Sequence, residues 1–230
     1  MTGLKNCIRV VGLVGRFSVG VVFILFFGRQ LILAQQAQTP VAVVSMPDER
    51  ADDSYRIYSL LMPGREFTGV EGMKQWLIER TTVDVRKMVQ SPREAIDHGA
   101  VIPEDRRQEL NEVLDDFDQH SNERVQLTEG KWSLPVPHRL LTEQETKLFN
   151  SGSCSLFTLQ NGPPEDCGKF AGAPGLNSFS EVYFSGHHSI AMVYTQQTCG
   201  GNCGTGYWVV LELRDGQWKQ LPWTGPGWEA

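Results

Sequence analysis

The sequence predicts an α+β domain in which N-terminal helices pack on a C-terminal antiparallel β-meander of about four to five strands. Helical spacing of apolar residues dominates up to about residue 150, and alternating, aromatic-rich runs separated by Gly and Pro follow it. Because the helices precede the strands instead of alternating with them, the pattern favours α+β over α/β. The chain has 230 residues, 40% of them hydrophobic, which suits one domain with its own core.

Three helices are predicted. Residues 51–62 form the first, and residues 102–123 form the clearest, which Pro103 begins. In the latter, four apolar residues recur at i, i+3, i+4 and i+7, namely Leu110, Val113, Leu114 and Phe117. The third begins at Thr142, whose hydroxyl can accept from the backbone of Glu145 while that carboxylate reaches back, as in a capping box.

Five runs have the pattern of strands. Residues 75–83 alternate apolar and charged side chains, which predicts a half-buried strand. The meander comprises four later runs, Phe179–Ser185, Ser189–Gln197, Gly206–Leu213 and Gln217–Trp223. Asp215-Gly216 predicts a tight turn between the last two, since both residue types tolerate positive φ.

Residues 1–34 predict an export segment. They contain four basic residues, no acidic residue and the apolar run 17–27, which is the profile of a signal peptide. A cleaved signal and an inner-membrane anchor over residues 10–34 both remain open, because the run is shorter than the roughly 20 residues that span a bilayer. Residues 35–50 are predicted as a tether, 51–224 as the single domain and 225–230 as a tail. Either way, the domain is expected in the periplasm or at the cell surface.

The net charge narrows the class of partner. Without residues 1–34, 21 − 4 = 17 basic residues face 27 acidic ones, so the formal charge is 17 − 27 = −10. Such a surface disfavours nucleic acid, and membrane contact is expected only through the N-terminal segment.

The cysteines predict disulfides. Cys7 precedes the apolar run, which is the wrong side for lipid attachment at a cleavage site. The other four form an even set, which in an oxidising compartment favours two disulfides among three connectivities. Local pairing, Cys154 with Cys167 and Cys199 with Cys203, is the preferred hypothesis.

The Cys199/Cys203 region permits two other interpretations. A thiol-redox pair usually has two intervening residues at a helix N-terminus, whereas this pair has three and lies between predicted strands. A metal site would need further ligands, for which His187 and His188 are the nearest candidates. Adjacent residues on an extended chain point to opposite faces, so these histidines more simply belong to a solvated turn.

The segment from Glu181 to Trp218 resembles a family of uncharacterised exported bacterial domains. That family's signature is a strand ending in Val-Tyr, then Cys-Gly-x-x-Cys-Gly-x-Gly and a hairpin ending in Trp. Val193-Tyr194 and Gly204-x-Gly206 match it, whereas the extra residue between the cysteines and the Cys154–Cys167 segment depart from it. The likeness spans about residues 53–223 and implies an exported domain, with no catalytic residue to carry over.

Short motifs for catalysis are absent from the sequence. No Gly-x-Ser-x-Gly elbow, His-Glu-x-x-His helix or phosphate-binding loop occurs, so no catalytic, cofactor-binding or metal-binding residue is assigned and no cofactor is expected. The acids Asp115, Asp116, Asp118 and Glu123 are interpreted as a solvated helix face. The tryptophans at 208, 218, 223 and 228 are interpreted as core, with an exposed glycan- or peptide-binding face as the alternative.

By elimination, the leading hypothesis is a non-enzymatic exported domain that binds an envelope protein or glycan, or supports the envelope. One alternative is an envelope-directed hydrolase with dispersed catalytic residues, which a cleft with convergent titratable groups would favour. The other is a small metal or thiol-redox protein that uses the Cys199/Cys203 region.

The export segment can be tested directly. Fusing residues 1–40 to a reporter that is active only outside the cytoplasm should give activity, because the apolar run and its basic flank direct export. The control fusion replaces Phe23, Leu25 and Phe27 with Asp and should be inactive. Activity of a cytoplasm-dependent reporter in the first fusion would contradict the predicted location.

Overall fold

The computed structural model describes residues 41–62, 74–87, 91–93, 96, 104–152, 154, 165–200 and 203–229, and nine strands and three α-helices are placed among them. The strands are β1 (Ala42–Ser45), β2 (Trp76–Glu79), β3 (Glu123–Gln126), β4 (His138–Leu141), β5 (Leu176–Phe179), β6 (Tyr183–Phe184), β7 (Ile190–Thr198), β8 (Gly204–Arg214) and β9 (Gln217–Glu229). The helices are α1 (Asp48–Leu61), α2 (Arg107–His120) and α3 (Glu143–Asn150).

The folded region is wider than residues 51–224. Strand β1 and the first turn of α1 lie within residues 35–50, where a tether was predicted, and β9 continues to Glu229, past the predicted end of the domain. Residues 41–230 form one compact unit. The predicted signal or anchor, residues 1–34, lies outside the described residues. Within them, no helix is long and apolar enough to cross a membrane.

The class is α+β as predicted, but the sheet is mixed. Its order is β4-β2-β5-β7-β8-β9, with β6 also paired to β7, and β2 lies parallel to both β4 and β5. The pure antiparallel meander is therefore wrong, and so is the expectation that the helices come first, since α3 follows four strands. Strands β1 and β3 form a separate parallel pair. These early strands have four residues each, too few for a clear alternation.

The predicted antiparallel meander is confirmed for the last three strands. Strand β7 pairs antiparallel with β8, and β8 with β9. Asp215 and Gly216 join β8 to β9 with φ of 54° and 73°, which confirms the predicted tight turn. Phe179 and Tyr183, predicted in one strand, lie in β5 and β6, because residues 180–182 interrupt the pairing with β7.

Helices cover both faces of the large sheet. Tyr55, Ile57 and Tyr58 of α1 pack with Ile78, Val193 and Val209, which share one face. Residues Leu110, Val113 and Leu114 of α2 pack with Met192 and Val210 on the other face, where Phe149 of α3 contacts Leu77. Strand β2 is accordingly buried at Trp76, Leu77 and Ile78 in succession, so its predicted half-burial is wrong. Consecutive apolar residues are typical of strands covered on both sides.

Local signals explain the helix ends. At α3 the Thr142 hydroxyl accepts from the backbone of Glu145 at 3.3 Å, and Glu145 accepts from the Thr142 backbone at 2.9 Å, so the capping box is confirmed. Two basic side chains also contact Glu145, Arg139 at 2.5 Å and Lys169 at 3.5 Å. Burial is the largest single effect and acts to raise the pKa of the Glu145 carboxyl, but the capping bonds and the two basic side chains together outweigh it and lower the pKa. The cap therefore fixes α3 to the sheet edge as well.

A close approach at Gly175 gives a test of the sheet. A Cβ at Gly175 would lie 2.6 Å from the carbonyl oxygen of Thr198 in β7, whereas one at Gly168 would have nothing within 4 Å. We expect Gly175→Ala to lower the free energy of unfolding by about 1–3 kcal/mol, because β5 must move away from β7. Gly168→Ala should change it by less than about 0.5 kcal/mol. Urea unfolding measures both, and equal effects would contradict this packing.

Candidate functional site

Three carboxylates on α2 bind the β6–β7 hairpin. Glu109, Glu112 and Asp116 lie at i, i+3 and i+7 and so share one side of the helix. Each accepts one hydrogen bond from the hairpin, in the pairs Ser189 Oγ to Glu109 at 2.5 Å, Gly186 N to Glu112 at 3.0 Å and Phe184 N to Asp116 at 2.8 Å. The bond from Ser189 lowers the pKa of Glu109, with Arg106 adding to the effect. The hairpin is therefore held by charge-assisted bonds to its backbone and to one hydroxyl.

Asp116 also binds a cation from the opposite helix layer. The Arg50 guanidinium on α1 donates to both of its carboxylate oxygens, at 2.9 and 2.7 Å, and to the carbonyl of Val182 at 2.6 Å. Nδ1 of His120 lies 2.9 Å from Asp116 Oδ1. The bidentate geometry is the strongest that Arg and a carboxylate adopt. We call Arg50, Asp116, His120 and Glu181 the Arg50 cluster.

Glu181 is the most deeply buried acid of this cluster. Its side chain is 5% exposed, and Oε1 lies 3.4 Å from Arg50 Nε. Oε2 has no hydrogen-bond partner within the described residues. Burial raises the pKa of Glu181 to about 6, although Arg50 and His120 both act to lower it. Near neutral pH this carboxyl can therefore exist in either protonation state.

An aromatic stack adjoins the Arg50 cluster. The Phe184 ring lies 4.4 Å from the His188 ring at 11°, and the Arg50 guanidinium carbon is 5.3 Å from the Phe184 centroid. Nδ1 of His188 is 3.5 Å from Asp53 Oδ2, and Trp218 Nε1 donates to the other oxygen of Asp53 at 3.0 Å. His188 thus contacts Phe184 of β6 through its ring and Asp53 of α1 through its nitrogen. It lies in a turn, as interpreted, but its side chain is 35% exposed and packed rather than fully solvated.

A pocket of about 270 Å³ opens elsewhere, at the C-terminal ends of β1 and β3 and the start of α1. Six of its eight lining residues have polar side chains and two are apolar; together they are Ser45, Met46, Asp48, Ala51, Tyr55, Gln126, Thr128 and Lys131. Tyr55 is fixed, since its hydroxyl accepts from Thr128 N at 2.6 Å. No member of the Arg50 cluster lines this pocket.

The structure pairs the cysteines as the sequence predicts. Cys154 bonds to Cys167 and Cys199 to Cys203, with Cα–Cα distances of 5.3 and 5.4 Å. Cys199 N donates to Cys203 O at 3.1 Å, so the second disulfide closes the β7–β8 connection. Cys167 packs with Phe149 and Phe170. In the part of the chain that is described, no group of three or more His, Cys, Asp and Glu is arranged to hold a metal ion.

The acidic residues of α2 do not form one solvated face. Asp115 and Asp118 do lie in solvent, 67% and 53% exposed, where Arg93 bridges them. Asp116 is only 15% exposed and belongs to the Arg50 cluster, so its assignment to the solvated face is wrong. Helical spacing gave no signal for this difference, because the exposed Asp118 lies at least as near the apolar stripe as Asp116 does. Glu123 is exposed at the start of β3.

Of the four C-terminal tryptophans, Trp208 and Trp218 are core residues, as interpreted, with 1% and 6% exposure. Trp223 and Trp228 lie in β9, but the structure does not describe their side chains. His187 is exposed in the turn that joins β6 to β7, and its effect in lowering the pKa of Glu109 is smaller than those of Ser189 and Arg106.

Comparisons of the chain with family models, with curated protein sequences and with solved structures give no match. Function must therefore be argued from the two sites themselves.

The role of Asp116 can be tested against its neighbour. We expect Asp116→Ala to lower the free energy of unfolding by about 3 kcal/mol, because it leaves the largely buried Arg50 guanidinium without its bidentate carboxylate. Asp118→Ala, on the same helix but 53% exposed, should cost less than about 0.5 kcal/mol. Chemical denaturation at pH 7 measures the difference. Similar losses for both variants would show that Asp116 is not the centre of the cluster.

Proposed function

We propose that this chain is an exported, non-enzymatic domain that binds a short segment of envelope glycan in the pocket between β1, β3 and α1. The observation that supports this most is the lining of that pocket. Hydroxyl, amide, carboxylate and ammonium groups from three elements converge there, and such a set suits a ligand rich in hydroxyl and amide groups. A peptide that used apolar anchors would find only Met46 and Ala51.

The position of the pocket supports a binding role. It lies beyond the carboxyl ends of two parallel strands, beside the start of α1. Crevices at the carboxyl ends of parallel strands are frequent ligand sites, because the loops that follow are free to shape them. The backbone of Thr128 and the hydroxyl of Tyr55 hold each other, so the wall of the pocket is preformed.

Separation of the pocket from the titratable cluster favours binding over catalysis. An acid–base enzyme needs its shifted groups within reach of the substrate. Glu181, whose pKa is raised to about 6, is 5% exposed and does not line the pocket.

Export of the domain is part of the proposal. The two disulfides agree with an oxidising compartment. The N-terminal sequence supplies the direct argument, since residues 1–34 have the profile of an export segment.

Binding can be tested with a soluble N-acetylglucosamine trimer and a soluble peptidoglycan fragment as probes. Amide shifts in NMR should concentrate at residues 45–48 and 126–131. Lys131→Gln should weaken binding roughly fivefold, the loss of about one hydrogen bond. Lys147→Gln is the matched control, since Lys147 lies on α3 with its ammonium paired to Glu143 at 2.7 Å. Equal affinities for both variants, or shifts confined to other surfaces, would contradict the proposal.

A second candidate function, hydrolysis of envelope material, is favoured by one observation. Asp116 orients His120 through Nδ1, and the imidazole remains 34% exposed, as a general base requires. If it applies, the same probes would be converted to products during the titration, and His120→Gln would abolish conversion while Lys131→Gln would not.

A further inference from the structure

The Arg50 cluster joins three elements that otherwise contact different parts of the sheet. Arg50 comes from α1, Asp116 and His120 come from α2, and Glu181 lies two residues before β6. The bonds within the cluster are polar: Arg50 to Asp116 and Glu181, His120 to Asp116, and the backbone of Phe184 to Asp116. The strength of this junction therefore depends on which of its groups are charged.

The cluster holds one guanidinium between two buried carboxylates. Asp116 takes two hydrogen bonds from Arg50, whereas Glu181 has only a 3.4 Å approach to Arg50 Nε. Oε2 of Glu181 and Nε of Arg50 are both buried without a hydrogen bond within the described part of the chain. An ionised Glu181 is thus incompletely compensated, and burying it in the neutral form costs less.

Two histidines lie beside carboxylates near this junction. Nδ1 of His120 is 2.9 Å from Asp116 on the same helix, α2, and Nδ1 of His188 is 3.5 Å from Asp53 on α1. The second contact joins the β6–β7 hairpin to α1.

We propose that the Arg50 cluster is an acid-tightened clamp, which holds α1, α2 and the β6–β7 hairpin together more firmly at pH 5 than at pH 8. The clamp consists of groups that do not line the pocket, and it does not rest on the function proposed for the pocket.

The groups around Glu181 determine the sign of this response. Titratable and charged groups face it from α1, α2, the start of β3 and β6: Arg50, Tyr58, Asp116, His120, Glu123 and Tyr183. Arg50 and His120 favour ionisation of Glu181, whereas Asp116 and Glu123 oppose it, and burial is the largest effect. Burial and Glu181 also raise the pKa values of Tyr58 and Tyr183, so both phenols stay neutral.

The direction of the pH effect follows by linkage. The pKa of Glu181 rises from 4.5 to about 6 on folding. Its stabilisation of the native state is complete below pH 4.5 and is lost as the pH rises through 6. Between pH 5 and pH 8 this carboxyl alone should raise the unfolding equilibrium constant roughly tenfold.

The test compares the full chain with Glu181→Gln, which mimics the neutral carboxyl, by urea unfolding from pH 5 to pH 8. The unfolding equilibrium constant of the unchanged chain, divided by that of Glu181→Gln, should rise roughly tenfold from pH 5 to pH 8. Glu143→Gln is the matched control, because Glu143 is 68% exposed on α3, and its ratio should stay constant within about twofold. A ratio for Glu181→Gln that is flat, or that falls with pH, would overturn the clamp.

Two further measurements keep the proposal testable if Glu181→Gln fails to fold. Carboxyl NMR of the native chain should show Glu181 titrating near pH 6, and titration at or below pH 4.5 would overturn the proposal. The amide of Phe184, which donates to Asp116, should also exchange with a protection factor several-fold lower at pH 8 than at pH 5. Equal protection at both pH values would show that the hairpin is not part of the clamp.

Discussion

The rest of the structure depends on the neutralisation of one largely buried guanidinium, that of Arg50. A buried cation must be paired, and Asp116 pairs it with two hydrogen bonds while accepting a third from the backbone of Phe184. Because α1 and α2 cover opposite faces of the sheet, this single carboxylate connects the two helix layers through the β6–β7 hairpin. Hydrophobic packing alone gives each layer its own contacts with the sheet. The ion pair fixes where the two layers stand relative to each other.

Local features of this fold were predictable, and long-range ones were not. The apolar stripe of α2, the capping box at Thr142 and the Asp215-Gly216 turn each depend on residues a few positions apart, and all three occur. The parallel pairs β2–β4 and β2–β5 depend on partners about 60 and 100 residues away, for which sequence spacing carries no signal. Burial of both sheet faces did leave a signal, since the apolar runs of β7 and β8 are continuous rather than alternating.

The candidate site also depends on long-range contacts that sequence spacing does not predict. Asp116 and Asp118 differ by two positions and are indistinguishable by composition, yet one is the centre of a buried cluster and the other lies in solvent. Asp116 differs from Asp118 in its bonds to two distant partners, Arg50, which is 66 residues upstream, and Phe184 of the hairpin, which is 68 residues downstream. For a related reason, the sequence predicted the turn at His188 but not the contacts of its side chain. Its φ of 52° turns the ring onto Phe184, and an extended chain would not place it there.

The two sites share helix α1, and this constrains how they can act. Asp48, Ala51 and Tyr55 face the pocket, while Arg50 and Asp53 on another side of the same helix face the Arg50 cluster and the His188 ring. Because α1 is a rigid helix, a shift of the side that lines the pocket also shifts the side that carries Arg50 and Asp53. If a ligand in the pocket shifted α1, it would also shift Arg50, and linkage would then require protonation of Glu181 to alter the affinity for that ligand by the same factor. Loss of Asp116 would uncouple them, because α1 would then lack its strongest bond to α2.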